Sequence, residues 1–301
     1  MGKPKVLITG ANGLIGSHLV QKAKNKYNLA YTSKSFREYH DDAFKQFDWL
    51  KLDDIYSFLS SIKPEYIVHT AGITSIEYAA LNPIETEIVN VKAVSEIVRY
   101  CVENQVRLIH FSTDFVFDGK LKDYKELDPV NPISIYAKSK ANSERIVLEG
   151  CNNSVVIRPS WVYGLSREMA RMNFPLFIRK NLIESKNLSI TSDQFRSPTY
   201  VGDIAETTLR LLATEEIGIF HIAGPECISV FDFALKIAET FSLDVGLLNP
   251  VSTPISDAAK ARPLSTCLNI TRAQHLLAYE PLNTDEGLLV LRQKLIDYNA
   301  P

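Results

Sequence analysis

The 301-residue sequence has few cysteines, little net charge and no long hydrophobic run. Four cysteines are widely separated, with no CxxC pair and no histidine at metal-ligand spacing; they are Cys101, Cys151, Cys227 and Cys267. We therefore identify no metal-ligating residues and expect four reduced thiols, buried or unreactive; acidic surface pairs leave Mg²⁺ binding at an interface open. No apolar run reaches the roughly 20 residues that span a bilayer, so we expect no membrane partner.

The balance of charges excludes a second class of partner. The 33 Lys and Arg residues nearly match the 35 Asp and Glu residues, and no long basic run is present, so we expect no nucleic-acid partner. Lys3 and Lys5 precede an apolar stretch that begins at Val6, which is the arrangement of a signal peptide. Gly10 and Gly13 interrupt that stretch too early, and we therefore expect a cytoplasmic protein.

Short β-branched runs alternate with segments of helical period through the first half of the chain. At roughly 150 residues per domain, the length allows about two core units. The alternation predicts βαβ units and an α/β fold with a doubly wound, mostly parallel sheet. The predicted strands lie at residues 6–9, 29–32, 66–69, 108–112 and 155–158.

The character of the sequence changes after residue 158, where prolines and longer polar segments become frequent. We expect a smaller, partly interleaved α/β portion that binds substrate. The dinucleotide-binding domain would comprise residues 1–162, joined again by about 198–223. Residues 163–197 and 224–301 would form the substrate-binding portion.

A glycine-rich loop follows the first predicted strand and opens a helix. Its spacing is GxxGxxG: Gly10 can make the tight turn, Gly13 lets the backbone approach a pyrophosphate, and Gly16 permits close packing of helix on strand. The free N–H groups of the helix would bind the phosphates. The alternative is a loop whose glycines only turn the chain. The expected cofactor contacts are Gly10, Asn12, Gly13, Leu14, Ile15 and Gly16.

The end of the second predicted strand bears on the choice of cofactor. An acidic residue there would bind the ribose 2′-hydroxyl of NAD, but Ser33, Lys34 and Arg37 offer hydroxyl and cationic groups that suit a 2′-phosphate. We therefore expect NADP to be preferred, with NAD as the alternative because Glu38 lies close by. An exposed polar loop without a cofactor role would have the same composition.

Tyr136 and Lys140 are four residues apart on a helix predicted over residues 134–149, and so lie on one face. A nearby ammonium would lower the pKa of the phenol and make it an acid–base catalyst. An exposed pair without function has the same spacing. A hydroxyl at Ser112 and Thr113 ends a predicted strand, where open α/β sheets bind ligands, and this combination is much more specific.

With these motifs the sequence resembles the extended short-chain dehydrogenase/reductase family, a Rossmann-type NAD(P)-binding fold. Within that family it is similar to the dTDP-4-dehydrorhamnose reductase (RmlD-like) branch. The resemblance covers nearly the whole chain and rests on TGANGLIG (9–16), HTAGIT (69–74), VN (89–90), FSTDFVFDG (111–119), YAKSK (136–140), RPSWVYG (158–164), DQFRSPTYVGDIA (193–205) and the late RP at 262–263.

The resemblance implies roles for particular residues. Thr113 and Tyr136 would bind the keto oxygen, Lys140 the nicotinamide ribose, and Asn90 would take the position of the family's proton relay. Further cofactor contacts would come from Leu52, Thr70, Ala71, Gly72, Ser112, Tyr136, Lys140 and Arg158. Substrate contacts would come from Thr74, Thr113, Asp114, Phe115, Trp161, Asn173, Gln194, Arg196 and Pro198.

Several of these residues have purely structural alternatives. Trp161 could be a core aromatic residue, and Asn90 could cap or pin a helix. Arg196 could bind a diphosphate with both arms of its guanidinium, or form a surface ion pair. His69 is better explained by a role in positioning the backbone than as a catalyst.

Three functions fit the sequence. The first is NADP-dependent reduction of a 4-keto sugar nucleotide. The second is an epimerase or dehydratase that regenerates the same cofactor, although a second acidic partner is missing at Phe115. The third is a regulatory subunit without catalysis, because the branch also resembles the β subunit of methionine adenosyltransferase. The sequence leaves the oligomeric state open, with a homodimer as one candidate.

Overall fold

The computed structural model describes residues 2–166, 172–254 and 262–298. The strands, in chain order, are β1 (Lys5–Thr9), β2 (Asn28–Ser33), β3 (Phe44–Gln46), β4 (Tyr66–His69), β5 (Arg107–Phe111), β6 (Ser154–Pro159), β7 (Val162–Tyr163), β8 (Leu188–Thr191), β9 (Phe195–Arg196), β10 (Thr199–Tyr200), β11 (Gly218–Ile222), β12 (Ile228–Ser229) and β13 (Leu248–Val251). The helices are α1 (Leu14–Ala23), α2 (Ile55–Ile62), α3 (Ile76–Leu81), α4 (Pro83–Glu87), α5 (Ala93–Asn104), α6 (Ile135–Gly150), α7 (Phe174–Ile183), α8 (Val201–Leu212), α9 (Val230–Thr240), α10 (Thr271–Leu277) and α11 (Thr284–Asp297).

Seven parallel strands form the main sheet in the order β11-β6-β5-β4-β1-β2-β3. The order reverses between β1 and β4, and ligands of open α/β sheets bind at this switch point. The predicted doubly wound fold is therefore confirmed. All five predicted strands are present within one or two residues, whereas β3 was missed because Phe44-Lys45-Gln46 has no β-branched run.

Apolar residues of the sheet alternate between two buried clusters, which explains the continuous hydrophobic runs in the strands. In β1, Val6 and Ile8 pack with α1 and α8 on one face, whereas Leu7 packs with α2 and α5 on the other. Residues 218–222, at the edge of the sheet, pair in parallel with β6. The sheet is thus covered by helices on both sides.

A third cluster lies in the later part of the chain. Tyr163, Ile178, Phe233 and Leu288 are fully buried there and join α7, α9 and α11 to β7 and β10. Small strand pairs, β8 with β13 and β9 with β12, border this cluster. Residues 167–171 and 255–261 of the expected substrate-binding portion lie outside the described residues.

Two of the four cysteines form a disulfide, so the expectation of four reduced thiols was wrong. Cys227 and Cys267 are bonded across 40 residues of sequence, while Cys101 and Cys151 are buried and free. The partners meet because residues 265–268 run beside β9 and Tyr124, where Thr266 N donates to the Phe195 carbonyl. Their spacing in the sequence gives no sign of this contact.

Arg158 lies in the interior of the fold, so the sequence-based placement beside the cofactor was wrong. Its Nε and Nη2 donate to Glu144 Oε1 and Oε2 of α6 at 2.8 and 2.7 Å, and both side chains are buried. Alternation along β6 explains this direction, because Val156 faces the helices on the same side of the sheet. Arg158 therefore fastens α6 to β6.

No helix in the described ranges has both the length and the apolar character needed to cross a membrane. Within the same ranges, no group of three or more His, Cys, Asp or Glu side chains is arranged to hold a metal ion.

Removal of the disulfide is expected to destabilise the protein. Closing a loop of 40 residues restricts the unfolded chain and contributes about 2–4 kcal/mol to the free energy of unfolding. Dithiothreitol should lower that free energy by this amount in urea titrations of the parent protein. The double variant Cys227→Ala/Cys267→Ala should not respond to dithiothreitol, and an equal response in both would contradict the assignment.

Glu144→Gln is expected to destabilise the fold by about 3–5 kcal/mol, because it leaves the buried Arg158 guanidinium without a compensating charge. Chemical denaturation of the cofactor-free protein measures this cost. Glu149→Gln is the matched control, since that carboxylate pairs with Arg145 on the exposed surface of the same helix. Equal losses of unfolding free energy in both variants would show that the buried ion pair contributes no more than the exposed one.

Candidate functional site

The glycine-rich loop between β1 and α1 forms a backbone cradle. Gly10 adopts a φ of 68°, and a Cβ there would collide with Thr70 and Ala71. A Cβ on Gly16 would meet the carbonyl oxygen of Gly10, so that only glycine allows this close packing of helix on strand. Gly13 precedes the first turn of α1, whose free N–H groups favour an anion.

A cavity of about 690 Å³ opens above this loop at the switch point of the sheet. It extends from the end of β2, across the loops after β1 and β4, to the start of α6. Most of the predicted cofactor residues lie on its wall, namely Gly10, Gly13, Leu14, Ile15, Gly16, Ser33, Lys34, Thr70, Ala71, Gly72, Ser112, Tyr136 and Lys140.

Three other predicted cofactor residues, besides Arg158, lie off that wall. Asn12 braces two loops, donating to the Ser35 carbonyl at 2.8 Å and contacting His40. The Arg37 backbone N–H donates to His40 Nδ1 on the exposed side of the same turn. Leu52 packs against the core beneath the sheet instead of lining the cavity.

The sequence analysis missed Asp48, Trp49 and Leu50, which line this end of the cavity. They follow the unrecognised strand β3, so the wall of the cavity lies two to four residues before Leu52. The Asp48 carboxylate also forms an ion pair with the Lys34 ammonium at 3.2 Å. Recognition of β3 would have located them, because ligands bind beyond the carboxyl ends of parallel strands.

Thr113, Tyr136 and Lys140 all line this cavity. Ser134 caps α6 by accepting from the Ala137 N–H at 3.1 Å, which places Tyr136 in the first turn and Lys140 in the next. Thr113 follows β5 and begins a short 3₁₀ turn by accepting from the Phe115 N–H. The sheet and the helix thus bring a phenol, an ammonium and a hydroxyl together.

Burial controls the protonation of this group. It raises the pKa of Tyr136 to about 12, opposed by the neighbouring Thr113 hydroxyl and reinforced by the charge of Asp114. It lowers the pKa of Lys140 to about 8, opposed by Glu144. The expected lowering of the phenol's pKa by Lys140 was therefore wrong, and the Tyr136 phenol is protonated at pH 7.

Asn90 lies in a π-helical turn, Ile88–Lys92, between α4 and α5. Its side chain accepts from the Ile73 N–H at 2.8 Å and donates to the Ile73 carbonyl at 2.9 Å and to Ser139 Oγ at 3.0 Å. These bonds hold the loop after β4 against α6. The role of Asn90 in a proton relay stays a prediction.

A second cavity, of about 560 Å³, adjoins the first and shares Thr74, Thr113, Asp114, Tyr136 and Trp161 with it. Of the other predicted substrate residues, Phe115, Gln194 and Arg196 lie on its wall. The structure adds wall residues that the sequence analysis did not identify: Ile76, Glu77, Phe174, Thr191, Val230, Thr253, Pro254 and Arg262.

Two predicted substrate residues lie elsewhere. Asn173 caps α7, accepting from the Leu176 N–H and donating to the Gly164 carbonyl at 2.6 Å. Pro198 is buried, with its carbonyl oxygen in the space that a Cβ on Gly224 would occupy. Both residues shape the backbone around the second cavity without forming its wall.

The Arg196 guanidinium is satisfied by the protein itself. It donates to the carbonyl oxygens of Phe195, Leu264 and Pro263 at 2.6, 3.0 and 2.6 Å. Burial lowers its pKa to about 10, and it lies over the Phe115 ring. Neither of the two sequence-based alternatives, a diphosphate clamp or a surface ion pair, describes this arrangement. Arg262, ion-paired with Glu77, is the more accessible cation on this wall.

Asp114 is a buried carboxylate surrounded by hydroxyl donors. Its Oδ2 accepts from Ser160 Oγ at 2.8 Å and from Thr266 Oγ1, while its Oδ1 accepts from Thr113 Oγ1 at 3.1 Å. Burial raises its pKa, opposed by the charge of Arg196 and by these hydrogen bonds. Asp114 thereby orients the Thr113 hydroxyl.

Known proteins match this chain over nearly its full length. A model of the RmlD substrate binding domain matches residues 4–295. The dTDP-4-dehydrorhamnose reductase of Aggregatibacter actinomycetemcomitans is 31% identical over 303 residues, covering 96% of this chain and 98% of that protein. Methionine adenosyltransferase 2 subunit beta of Bos taurus is 29% identical, covering 90% and 82%.

A solved structure agrees in fold and length. The crystal structure of dTDP-4-dehydrorhamnose reductase from Bacillus anthracis, in complex with NADP, has a TM-score of 0.84 and 27% identity, covering 98% of this chain and all of that one. The resemblance found in the motifs is confirmed. The chain belongs to the RmlD substrate binding domain family.

Proposed function

We propose that this protein is an NADPH-dependent reductase that converts the 4-keto group of a nucleotide-linked sugar to an alcohol. The observation that carries this proposal is the position of Thr113 and Tyr136 on the wall shared by two adjoining cavities. A carbonyl that enters from the second cavity would meet both hydroxyls where the first cavity ends. The similarity to dTDP-4-dehydrorhamnose reductases supports this substrate class.

The first cavity fits a dinucleotide. A Cβ at Gly10 or Gly16 would collide with neighbouring atoms, so the loop carries no side chain at these two positions. A pyrophosphate could therefore approach the backbone of the loop closely. Ser33 and Lys34 lie at the end where the adenosine ribose would be held, and they suit a 2′-phosphate. NADP in a related structure supports the choice, and NAD remains the alternative. When bound, the cofactor supplies the hydride.

The chain's own residues would handle the proton. Tyr136 holds its proton at pH 7 because burial raises its pKa to about 12, and it would donate that proton to the carbonyl oxygen as negative charge develops there. Thr113, whose hydroxyl proton goes to Asp114 Oδ1 in this structure, would turn that proton to the same oxygen once a carbonyl is bound. Lys140 lies on the same cavity wall and would hold the nicotinamide ribose.

The state of Asp114 favours reduction over dehydration. A dehydratase needs an acid–base carboxyl group that exchanges protons with the substrate, but both oxygens of Asp114 are occupied by hydroxyl donors. Phe115 supplies no second acid. Stoichiometric consumption of NADPH would distinguish reduction from both epimerisation and dehydration, which regenerate their cofactor.

A regulatory role is the second candidate, because methionine adenosyltransferase 2 subunit beta is also a relative. Thr113, Tyr136 and Lys140 are all present and face the cavity, which favours catalysis. Recovery of one stoichiometric partner, together with no NADPH oxidation against any 4-keto sugar nucleotide, would instead support regulation.

The proposal also assigns the binding of the two ligands to different parts of the chain. Residues 1–162 with about 198–223 would bind the dinucleotide, and residues 163–197 with 224–301 would bind the sugar nucleotide. The separate apolar cluster of α7, α9 and α11 supports this division. A cytoplasmic location is also a proposal, and the Cys227–Cys267 disulfide is unusual for that compartment. A homodimer is a further proposal, and light scattering would measure the molar mass of the assembly.

Tyr136→Phe is expected to slow the chemical step by roughly 10²- to 10⁴-fold, because it removes the proton donor. NADPH oxidation over a panel of 4-keto sugar nucleotides measures the rate, and cofactor affinity should stay close to that of the parent. Tyr56→Phe is the control, since the Tyr56 hydroxyl on α2 donates to Glu103 of α5 at an exposed position. A Tyr136→Phe enzyme as fast as the parent would refute the mechanism.

Lys34→Ala is expected to weaken NADPH binding by about tenfold and to leave NADH binding nearly unchanged, because the 2′-phosphate is the one group of the cofactor that the lost ammonium would contact. Fluorescence titration gives both dissociation constants. Lys45→Ala, an exposed lysine on β3 outside the cavity wall, controls for general loss of positive charge. Equal weakening of both cofactors by Lys34→Ala would exclude a contact with the 2′-phosphate.

A further inference from the structure

Two histidines lie side by side in the centre of the sheet. His69 of β4 and His110 of β5 are partners in the parallel register, both are buried, and their rings stack with centroids 5.6 Å apart. Each ring has one nitrogen without a hydrogen-bond partner among the described residues, Nε2 of His69 and Nδ1 of His110. Burial lowers the pKa of both rings, so both are neutral at pH 7.

The tautomer of His69 is determined by Thr9. Thr9 Oγ1 already accepts from the backbone N–H groups of Thr70 and Ala71, each at 3.1 Å. Its hydroxyl proton is therefore directed to His69 Nδ1, 2.9 Å away. A neutral His69 must then carry its own proton on Nε2.

No neighbour determines the tautomer of His110. Its Nε2 lies 2.9 Å from Ser143 Oγ and 3.4 Å from Lys140 Nζ. With a proton, Nε2 donates to Ser143, whose own proton then goes to the Lys140 carbonyl oxygen 2.8 Å away. Without a proton, Nε2 accepts from both the Lys140 ammonium and the Ser143 hydroxyl. Because Nδ1 has no partner in either case, the choice costs no hydrogen bond at that end of the ring.

Lys140 needs such an acceptor. Glu144, one turn further along α6, is the nearest counter-charge, but both of its oxygens are engaged by Arg158. Ser143 Oγ lies 2.9 Å from His110 Nε2 and directs its one proton to that nitrogen when Nε2 carries none. Among the described residues, His110 Nε2 is the side-chain acceptor in contact with Nζ.

We propose that His110 is a positioning residue for Lys140, an imidazole of free tautomer that accepts from the ammonium and holds it at the cofactor cavity in its charged form. This inference uses the proposed function only in assigning Lys140 a role at that cavity. It assigns a task to a buried histidine that makes no contact with the cavity itself.

The sign of the effect follows from the hydrogen bond. An acceptor stabilises the charged ammonium and so raises the pKa of Lys140 above the value that burial alone would give. Loss of the acceptor should lower that pKa by about one unit, the scale of one hydrogen bond to a charged group. The titratable groups that face this contact are His69 on β4 and Glu144 on α6.

The test measures the titration of Lys140 in the protein without cofactor. Trace acetylation by acetic anhydride, read by mass spectrometry across pH, gives the midpoint for this amine. We expect the midpoint to fall by about one pH unit in His110→Leu. It should stay near the parent value in His110→Gln, whose amide oxygen can accept, and in the control His69→Leu, which removes the neighbouring buried ring.

An unchanged midpoint in His110→Leu would overturn the proposal, and so would an equal shift in His69→Leu, which would indicate a general packing effect. If His110→Leu does not fold, His110→Met takes its place under the same criteria. Fluorescence titration should also show that the affinity of His110→Leu for NADPH begins to fall, as the pH is raised, about one pH unit lower than in the parent. Neither readout requires a sugar substrate, so failure of the proposed reductase activity would be seen separately.

Discussion

The packing of α6 on the sheet is the constraint on which the site depends. This helix buries a polar stripe, Tyr136, Ser139, Lys140, Ser143 and Glu144, where most helices bury apolar residues. Buried polar groups must be partnered, and each one here takes its partner from another element. Asn90 bonds Ser139, His110 contacts Lys140 and Ser143, and Arg158 holds Glu144. These contacts determine how far α6 is shifted along its own axis and which of its faces packs on the sheet.

The same constraint places reactive groups at one point. Arg158 of β6 holds Glu144, and His110 of β5 contacts Lys140. The first turn of α6 therefore extends beyond the end of the sheet. Tyr136 there faces Thr113, which leaves β5 at the same edge. Asp114 is held by Ser160 and Thr266, so the hydroxyl of Thr113 is aimed by three separate segments of the chain. The two cavities meet at this rigid junction.

The sequence predicted most of the fold and the centre of the site. Strands with β-branched runs, the glycine spacing and the four-residue separation of Tyr136 and Lys140 all report local geometry, which a sequence carries directly. It failed where long-range packing decides. Arg158 and Arg196 have the chemistry of ligand contacts, but the first is paired with Glu144 and the second donates to backbone carbonyl oxygens. Pairing of Cys227 with Cys267 and the cavity position of Asp48 depend on elements without a local signal.

The contact between Asp114 and Thr266 joins residues 152 positions apart. During synthesis, the part of the chain that carries the glycine cradle and α6 is complete long before Thr266 leaves the ribosome. Until then Asp114 lacks one of its three hydroxyl donors. A cofactor could therefore encounter a nearly finished binding cradle while the pocket for the sugar is still unformed, so the last quarter of the chain decides when the protein becomes competent.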